Sequence, residues 1–387
     1  MSLTQILTFF CPTRIHMGMN AHVKVEELLK SWHCEHLFLT VDRALLGSEI
    51  YLSIKGILDR NGVDFDVFSD IEPDPSDNTV ANAFESYKEK NATVLMAIGG
   101  GSTIDVAKAV GILATNGGRI LDYEGIEKFS TVPLPLIAVP STAGTGSEVS
   151  GSCVITDTER NLKISIRHAA LNPAKVAILD PLALKTLPAA AAAHSGLDAF
   201  VHAFESYLSL NASPMTDALN LYAIELISQN IRQFTANRNN LEAGLNMLCG
   251  ACLAGITLGQ TGLGNVHCMA RFVGAFFHVS HGLSNAVCLP CAAEFNLQAN
   301  PQKYARVART MGEEIGGLSP MEAGKKAVHA IAELCRDLNI SSRLRDFGAT
   351  EDILSEMSRL CVEADYNRWN PRHTTYEDFL SLFRKTY

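Results

Sequence analysis

Along the first half of the chain, short apolar runs alternate with amphipathic stretches. The runs at 36–41 (His-Leu-Phe-Leu-Thr-Val), 93–98 (Thr-Val-Leu-Met-Ala-Ile), 134–139 (Leu-Pro-Leu-Ile-Ala-Val) and 176–179 (Val-Ala-Ile-Leu) have almost no polar side. That is the pattern of strands covered on both faces. Residues 64–68 read as a further strand, and 5–10 and 13–18 as two short ones around Pro12. Between them, 23–32, 45–61, 80–90 and 104–113 carry helical periodicity. Strands alternating with helices predict a parallel α/β sheet, and 153–157 with 163–167 predict an added hairpin.

After Pro188 the period changes. Residues 189–208, 213–234, 239–258 and 320–338 repeat as helices do, and no strand pattern follows. A length of 387 residues suits two domains. The expectation is an α/β domain with a parallel sheet over 1–183 and an all-α domain over 184–387.

Composition narrows the function classes. With 47% hydrophobic and 19% charged residues the chain is built for packed cores, not disorder. A net charge of −9 without a Lys/Arg run argues against a nucleic-acid partner. The N-terminus lacks the basic region and long apolar core of a leader, and no later apolar run reaches the roughly 20 residues of a membrane span. A cytoplasmic protein is expected. Ten cysteines in a chain this long do not make a disulfide framework. The pairs Cys249/Cys252 and Cys288/Cys291 would suit a four-thiolate zinc site, or serve as small buried apolar residues of helices.

Two groups of residues carry chemistry. In the first, strand 93–98 runs into Gly99-Gly100-Gly101-Ser102 and a helix. Glycines let a backbone approach a ligand closely, and the helix N-terminus offers unpaired N–H groups, which suits a pyrophosphate. A merely tight turn has the same look, and the motif is neither a G-x-G-x-x-G nor a Walker loop. Asp42 ends strand 36–41, where an acidic residue either bonds a ribose 2′-hydroxyl or caps the next turn. The stretch Pro140-Ser-Thr-Ala-Gly-Thr-Gly-Ser-Glu148 is dense in hydroxyls and glycines and able to wrap phosphate and ribose oxygens.

The second group lies in the helical half. Asp198 and His202, at i and i+4, leave one helix face a turn apart. His267, His278 and His281 follow, and a carboxylate with two or three imidazoles from two helices is the ligand set of a divalent transition metal. On an unbroken helix His267 and His281 would stand roughly 21 Å apart. A shared cation therefore requires the chain to leave the helix between them. Gly274 near a helix end, with Ser280-His281-Gly282 starting the next, supplies that break. The alternative is a set of unrelated core histidines.

Several stretches in one order resemble a known family. They are Gly-Gly-Gly-Ser-Thr-Ile-Asp-Val-Ala-Lys (99–108), the 140–148 loop, Asn-Pro-Ala-Lys-Val-Ala-Ile-Leu-Asp-Pro (172–181), Gly-Leu-Asp-Ala-Phe-Val-His-Ala-Phe-Glu-Ser-Tyr (196–207), 264–286, and Asn-Pro-Arg-His-Thr-Thr-Tyr-Glu-Asp (370–378). Together they resemble the iron-dependent (group III) alcohol dehydrogenases, of the dehydroquinate-synthase-like fold, over essentially the whole length. The resemblance implies Asp198, His202, His267 and His281 as ligands of one Fe²⁺, or zinc in some relatives. It implies NAD(H) in a cleft lined by Asp42, Asp74, Gly99, Gly100, Gly101, Ser102, Thr103, Asp105, Thr142, Thr145, Lys163 and Leu182. It also implies hydride exchange with a small aldehyde or alcohol, the metal acting as Lewis acid, and a homo-oligomer, dimer or larger.

One position departs from the family pattern. A further histidine commonly follows the first ligand of the second helix by four residues, in a Met-Ala-His context and often as a proton relay. Here Met269-Ala270-Arg271 stands instead. Arginine does not titrate near neutral pH, but it binds an oxyanion bidentately. Arg271 is expected to hold an anionic group of the substrate, as in sulfoacetaldehyde, or else to pair with a carboxylate while the substrate is a plain alcohol, aldehyde or diol. His278 is the candidate replacement relay. Two other classes compete: a non-redox NAD- and metal-binding synthase on the same fold, and a metal-free binding protein.

Overall fold

The computed structural model describes residues 6–387 apart from Asn91, Ser341 and Ser342. The chain divides into two compact units, one of Phe10–Pro188 with Arg238–Cys252, the other of Ala189–Asn237 with Leu253–Tyr387 and residues 6–9.

The first unit holds strands β1 (Arg14–Met17), β2 (His36–Val41), β3 (Asp64–Phe68), β4 (Val94–Gly99), β5 (Gly125–Ile126), β6 (Leu136–Pro140), β7 (Ser152–Asp157), β8 (Leu162–Arg167) and β9 (Val176–Leu179). Helices α1 (Lys24–Ser31), α2 (Glu49–Arg60), α3 (Asp77–Lys88) and α4 (Gly101–Asn116) connect them. Six strands form one parallel sheet in the order β1-β9-β6-β4-β2-β3, and β5-β8-β7 form a small second sheet. Because strand side chains alternate, β4 sends Leu95 and Ala97 to one core and Val94, Met96 and Ile98 to the other. Both faces are therefore covered, which explains the uninterrupted apolar runs.

The strand expected at 5–10 does not form. Residues 6–10 have no regular structure and alternate between exposed and half-buried, and Gln5 lies outside the described residues. The edge strand β1 begins only beyond Pro12, which has no N–H to give a ladder.

The order of the strands fixes where a ligand can bind. From β2 the chain moves outward to β3, then crosses back to β4 on the other side. The loops after β2 and β4 thus leave in opposite directions at the carboxyl ends of adjacent strands. That is the crevice used by open α/β sheets.

The second unit is built from α5 (Ala189–Leu208), α6 (Pro214–Ala236), the later part of α7 (Leu241–Thr261), α8 (Asn265–Phe277), α9 (His281–Asn296), α10 (Pro301–Thr310), α11 (Pro320–Asp337), α12 (Glu351–Glu363) and α13 (Tyr376–Thr386). Among its described residues there is no strand. Its helices begin on local caps: Ser213 with Thr216, Ser319 with Glu322 and Thr375 with Asp378 exchange side-chain and backbone hydrogen bonds. By length and composition alone α7, with 21 residues, is apolar enough to cross a bilayer. Of its apolar 18-residue window 56% is buried inside the protein, as in a core helix.

Candidate functional site

In the helical unit, α5 is buried all round from Gly196 to Leu208. Asp198, His202 and Glu205 leave it at i, i+4 and i+7, one continuous stripe. Helix α9 packs against both α5 and α8, and the short turn His278-Val279-Ser280 joins it to α8. His278 takes a left-handed conformation (φ 52°) as the C-cap of α8, and Ser280 precedes the first residue of α9, His281. The helix therefore ends at Phe277, three residues past Gly274, and the next starts at His281 behind Ser280, with His278 rather than a glycine as the left-handed cap. Gly274 lies inside α8, where a Cβ would come 3.3 Å from Val279 O and 3.4 Å from Ser284 Oγ. Its lack of a side chain lets the turn fold back closely.

That reversal brings the four expected ligands together. One donor atom from each of Asp198, His202, His267 and His281 lies within 4.8 Å of the others. Asp198 Oδ1 stands 3.5 Å from His281 Nε2, 3.9 Å from His267 Nε2 and 4.0 Å from His202 Nε2. Bonds of about 2.0–2.2 Å to one cation need donors about 3.4 Å apart in a tetrahedron, so the set, spread over at most 4.8 Å, must draw in around the cation by rotation of its side chains. Asp198, His202 and His267 are buried, whereas the His281 side chain is 43% exposed. The cluster thus opens on one side.

The electrostatics favour a cation as well. Burial alone would raise the Asp198 carboxyl, but the imidazoles of His202, His281 and His267 and the Asn285 amide outweigh it and hold it below the ordinary value. Burial first, then its neighbours His202 and His281, push His267 well below the usual imidazole range. An ionised carboxylate facing neutral imidazole is the protonation state a metal requires.

Two further residues, not singled out from the sequence, complete the cluster. His267 Nδ1 lies 2.7 Å from Glu205 Oε2, and Asn285 Nδ2 lies 2.7 Å from Asp198 Oδ1. Each has a signal in its spacing. Glu205 continues the Asp198/His202 stripe, and Asn285 sits four residues after His281. Two expected residues lie at the margin. Arg271, one turn past His267, is exposed, with its guanidinium 5.9 Å from the Phe272 ring centre and no ion-pair partner among the described residues. His278 is exposed at the turn.

The Cys-x-x-Cys pairs form no metal site. Among the described residues neither joins a group of three or more metal-ligating side chains, and all ten cysteines are free. Burial raises the thiols of Cys252, Cys288 and Cys291 far from the thiolate form.

In the sheet unit the expected dinucleotide residues gather at the carboxyl ends of β2, β3, β4 and β6. Asp42 Oδ1 caps the turn that follows by accepting from Ala44 N at 3.0 Å, and its other oxygen has no protein partner among the described residues. Asp74, left-handed at φ 57°, receives Lys163 Nζ at 2.7 Å and donates its N–H to Ser102 Oγ at 3.2 Å. The glycine turn touches the hydroxyl loop directly. A Cβ on Gly100 would lie 3.3 Å from Thr142, and one on Gly101 would lie 2.8 Å from Thr145. Gly99 faces Thr103 in the same way. Asp105 lies behind this surface, buried, accepting from Ser147 Oγ at 2.5 Å and Val154 N at 2.9 Å. Lys108 Nζ donates to Ser147 Oγ, Ser150 O and Ser152 O, so α4 braces the hydroxyl loop from within. Leu182 is buried in the core beside β9.

Parts of this kind define a class: an oxidoreductase that couples a nicotinamide dinucleotide to a single divalent cation. Comparison gives the family. Residues 12–181 match "Iron-containing alcohol dehydrogenase", and residues 192–387 match "Fe-containing alcohol dehydrogenase family, C-terminal". The chain is 37% identical to the 1,3-propanediol dehydrogenase of Citrobacter freundii over 385 residues, 99% of either chain. A solved 1,3-propanediol oxidoreductase matches at a TM-score of 0.95 and 36% identity, over 99% of this chain and 100% of that one. The sulfoacetaldehyde reductase of Bifidobacterium kashiwanohense, solved with NAD⁺, shares the fold at a TM-score of 0.88 and 22% identity, over 99% of both chains. The chain belongs to the iron-containing alcohol dehydrogenase family, as the motifs implied. It is an oxidoreductase of alcohols and aldehydes with NAD(H) and iron as cofactors.

Proposed function

We propose that this chain reversibly reduces a short aldehyde bearing an anionic group, a sulfonate, phosphonate or carboxylate, of which sulfoacetaldehyde is one example. The observation that carries this reading is Arg271. Its guanidinium projects one helical turn past His267, exposed and with no carboxylate beside it among the described residues. A permanently charged fork in that place serves to bind an anion bidentately.

Asp198, His202, His267 and His281 would hold the cation, which when bound supplies Lewis acidity toward the substrate oxygen. Asp42, Asp74, Gly99 to Thr103, Asp105, Thr142, Thr145, Lys163 and Leu182 would bind or back the dinucleotide, which carries the hydride. In this division 1–183 serves the dinucleotide, and 184–387 the metal and substrate. Asp198 remains ionised and His267 neutral, so neither spends a proton on ligation. Arg271 cannot exchange protons near neutral pH, which leaves His278, exposed at the turn, as the side chain that passes a proton to solvent. On family resemblance alone, the enzyme is taken as a cytoplasmic homo-oligomer.

A second reading is a neutral diol or primary alcohol as substrate, favoured by the 37% identity to a 1,3-propanediol dehydrogenase. Steady-state kinetics of Arg271→His separate the two. The anionic reading expects kcat/KM for the anionic aldehyde to fall roughly tenfold to a hundredfold, the worth of a hydrogen bond to a charged group. Neutral aldehydes of equal length would be spared or improved. An equal change on both classes overturns it.

A further inference from the structure

Glu205 is a buried carboxylate to which ligation by the Asp/His cluster gives no part. Both of its oxygens are engaged by the first turn of α8: Oε1 accepts from Val266 N at 2.6 Å, and Oε2 from His267 N at 3.3 Å with His267 Nδ1 at 2.7 Å. The N-cap of α8 is Gly264, which has no side chain to cap with. Asn370 Oδ1 accepts from the remaining first-turn donor, Asn265 N, at 3.2 Å. The start of α8 is thus capped entirely by side chains brought from elsewhere in the fold. A Cβ on Gly264 would lie 2.6 Å from Asn370 Oδ1 and 3.0 Å from Glu205 Oε1, so only glycine leaves room for both.

We propose that Glu205 is a positioning residue for the metal centre: it fixes His267 in the tautomer with the proton on Nδ1 and aims Nε2 at the cation. In its ionised form Glu205 can only accept, so the nitrogen facing it carries the proton and the opposite one keeps its lone pair. The same carboxylate anchors the backbone from which His267 springs, so ring orientation and helix position are set together. The Asp198/His202/Glu205 stripe on α5 therefore supplies two ligands and the orienter of a third.

This inference rests on the metal-centre reading, and its test keeps the two apart. Zn²⁺ affinity of wild-type protein and Glu205→Gln is measured by competition with a chromophoric chelator, with NADH binding as the control for folding. In Glu205→Gln one acceptor becomes an NH₂ group, which turns a donor toward either Val266 N–H or His267 Nδ1. The expected result is roughly a tenfold to hundredfold loss of Zn²⁺ affinity with NADH binding kept. Affinity within about twofold of wild type in folded Glu205→Gln overturns the role of Glu205. Absence of tight Zn²⁺ binding by the wild type overturns the metal centre itself. Should Glu205→Gln fail to fold, the ¹⁵N spectrum of metal-free wild type labelled at histidine decides, with His267 assigned by its loss in His267→Gln. A signal with the proton on Nδ1 supports the proposal, and one with the proton on Nε2 overturns it.

Discussion

Asn285 donates from Nδ2 to Asp198 Oδ1 at 2.7 Å, and the same nitrogen lies 3.3 Å from His267 Nε2 and 3.2 Å from His281 Nε2. One neutral amide thus spans three of the four clustered donors and orients the only anionic one. Asn285→Ala removes that hold without removing a donor of the proposed set. Metal affinity is expected to fall about tenfold to a hundredfold, while the far-ultraviolet circular dichroism stays unchanged. A chelator titration checks the first and a spectrum the second.

Asp42 governs the choice of dinucleotide. Its free oxygen stands at the carboxyl end of β2, where a 2′-phosphate would meet like charge. Wild-type enzyme is expected to prefer NADH by at least about tenfold in kcat/KM, which corresponds to about 1.4 kcal/mol of repulsion. Asp42→Ser should raise the value for NADPH by a similar factor. Comparable wild-type rates with both dinucleotides would show that Asp42 only caps its turn.

Gly101 tests the contact between the glycine turn and the hydroxyl loop. A Cβ there would stand 2.8 Å from Thr145 Cγ2 and 2.9 Å from Thr145 Oγ1. Gly101→Ala must push the loop aside, and NADH affinity measured by fluorescence quenching should weaken by about tenfold, or about 1.4 kcal/mol. Metal content per chain should not change, because the Asp/His cluster lies on other elements.

Glu148 makes stability depend on pH. Burial raises its carboxyl to about 7 from an ordinary 4.5, against the pull of its own backbone N–H and Lys108. The folded chain therefore holds a proton that the unfolded chain releases. This contribution is fully present below pH 4.5 and is lost as pH rises through about 7. A shift of this size corresponds to about 3 kcal/mol. Glu148→Gln removes the linkage, so its Tm relative to wild type should climb between pH 5 and pH 8. A constant difference across that range would refute the assignment.

The parallel sheet was readable because strands covered on both faces leave no polar positions to confuse the period, as 93–98 shows. Residues 6–10 carry a similar run of apolar letters, yet no neighbouring strand receives them. Helices α10, α12 and α13 went unmarked, although Asn300 and Thr375 cap two of them in sequence. The four clustered donors were legible from composition, spacing and family resemblance. The break between α8 and α9 falls inside the Gly274–Gly282 segment that the glycines and Ser280 marked, but its left-handed cap is His278, where glycine is the usual sign. Glu205 and Asn285 stayed hidden for another reason. A carboxylate or amide acquires meaning only once the donor it touches is known.

The turn at His278-Val279-Ser280 also works as a ruler. Each residue of a helix advances the side chain by about 100° around the axis, and His281 is the first residue of α9. One residue added between α8 and α9 must either be absorbed by the turn or swing that imidazole about a third of a revolution away from Asp198. The spacing of this loop is therefore constrained by count more than by chemistry.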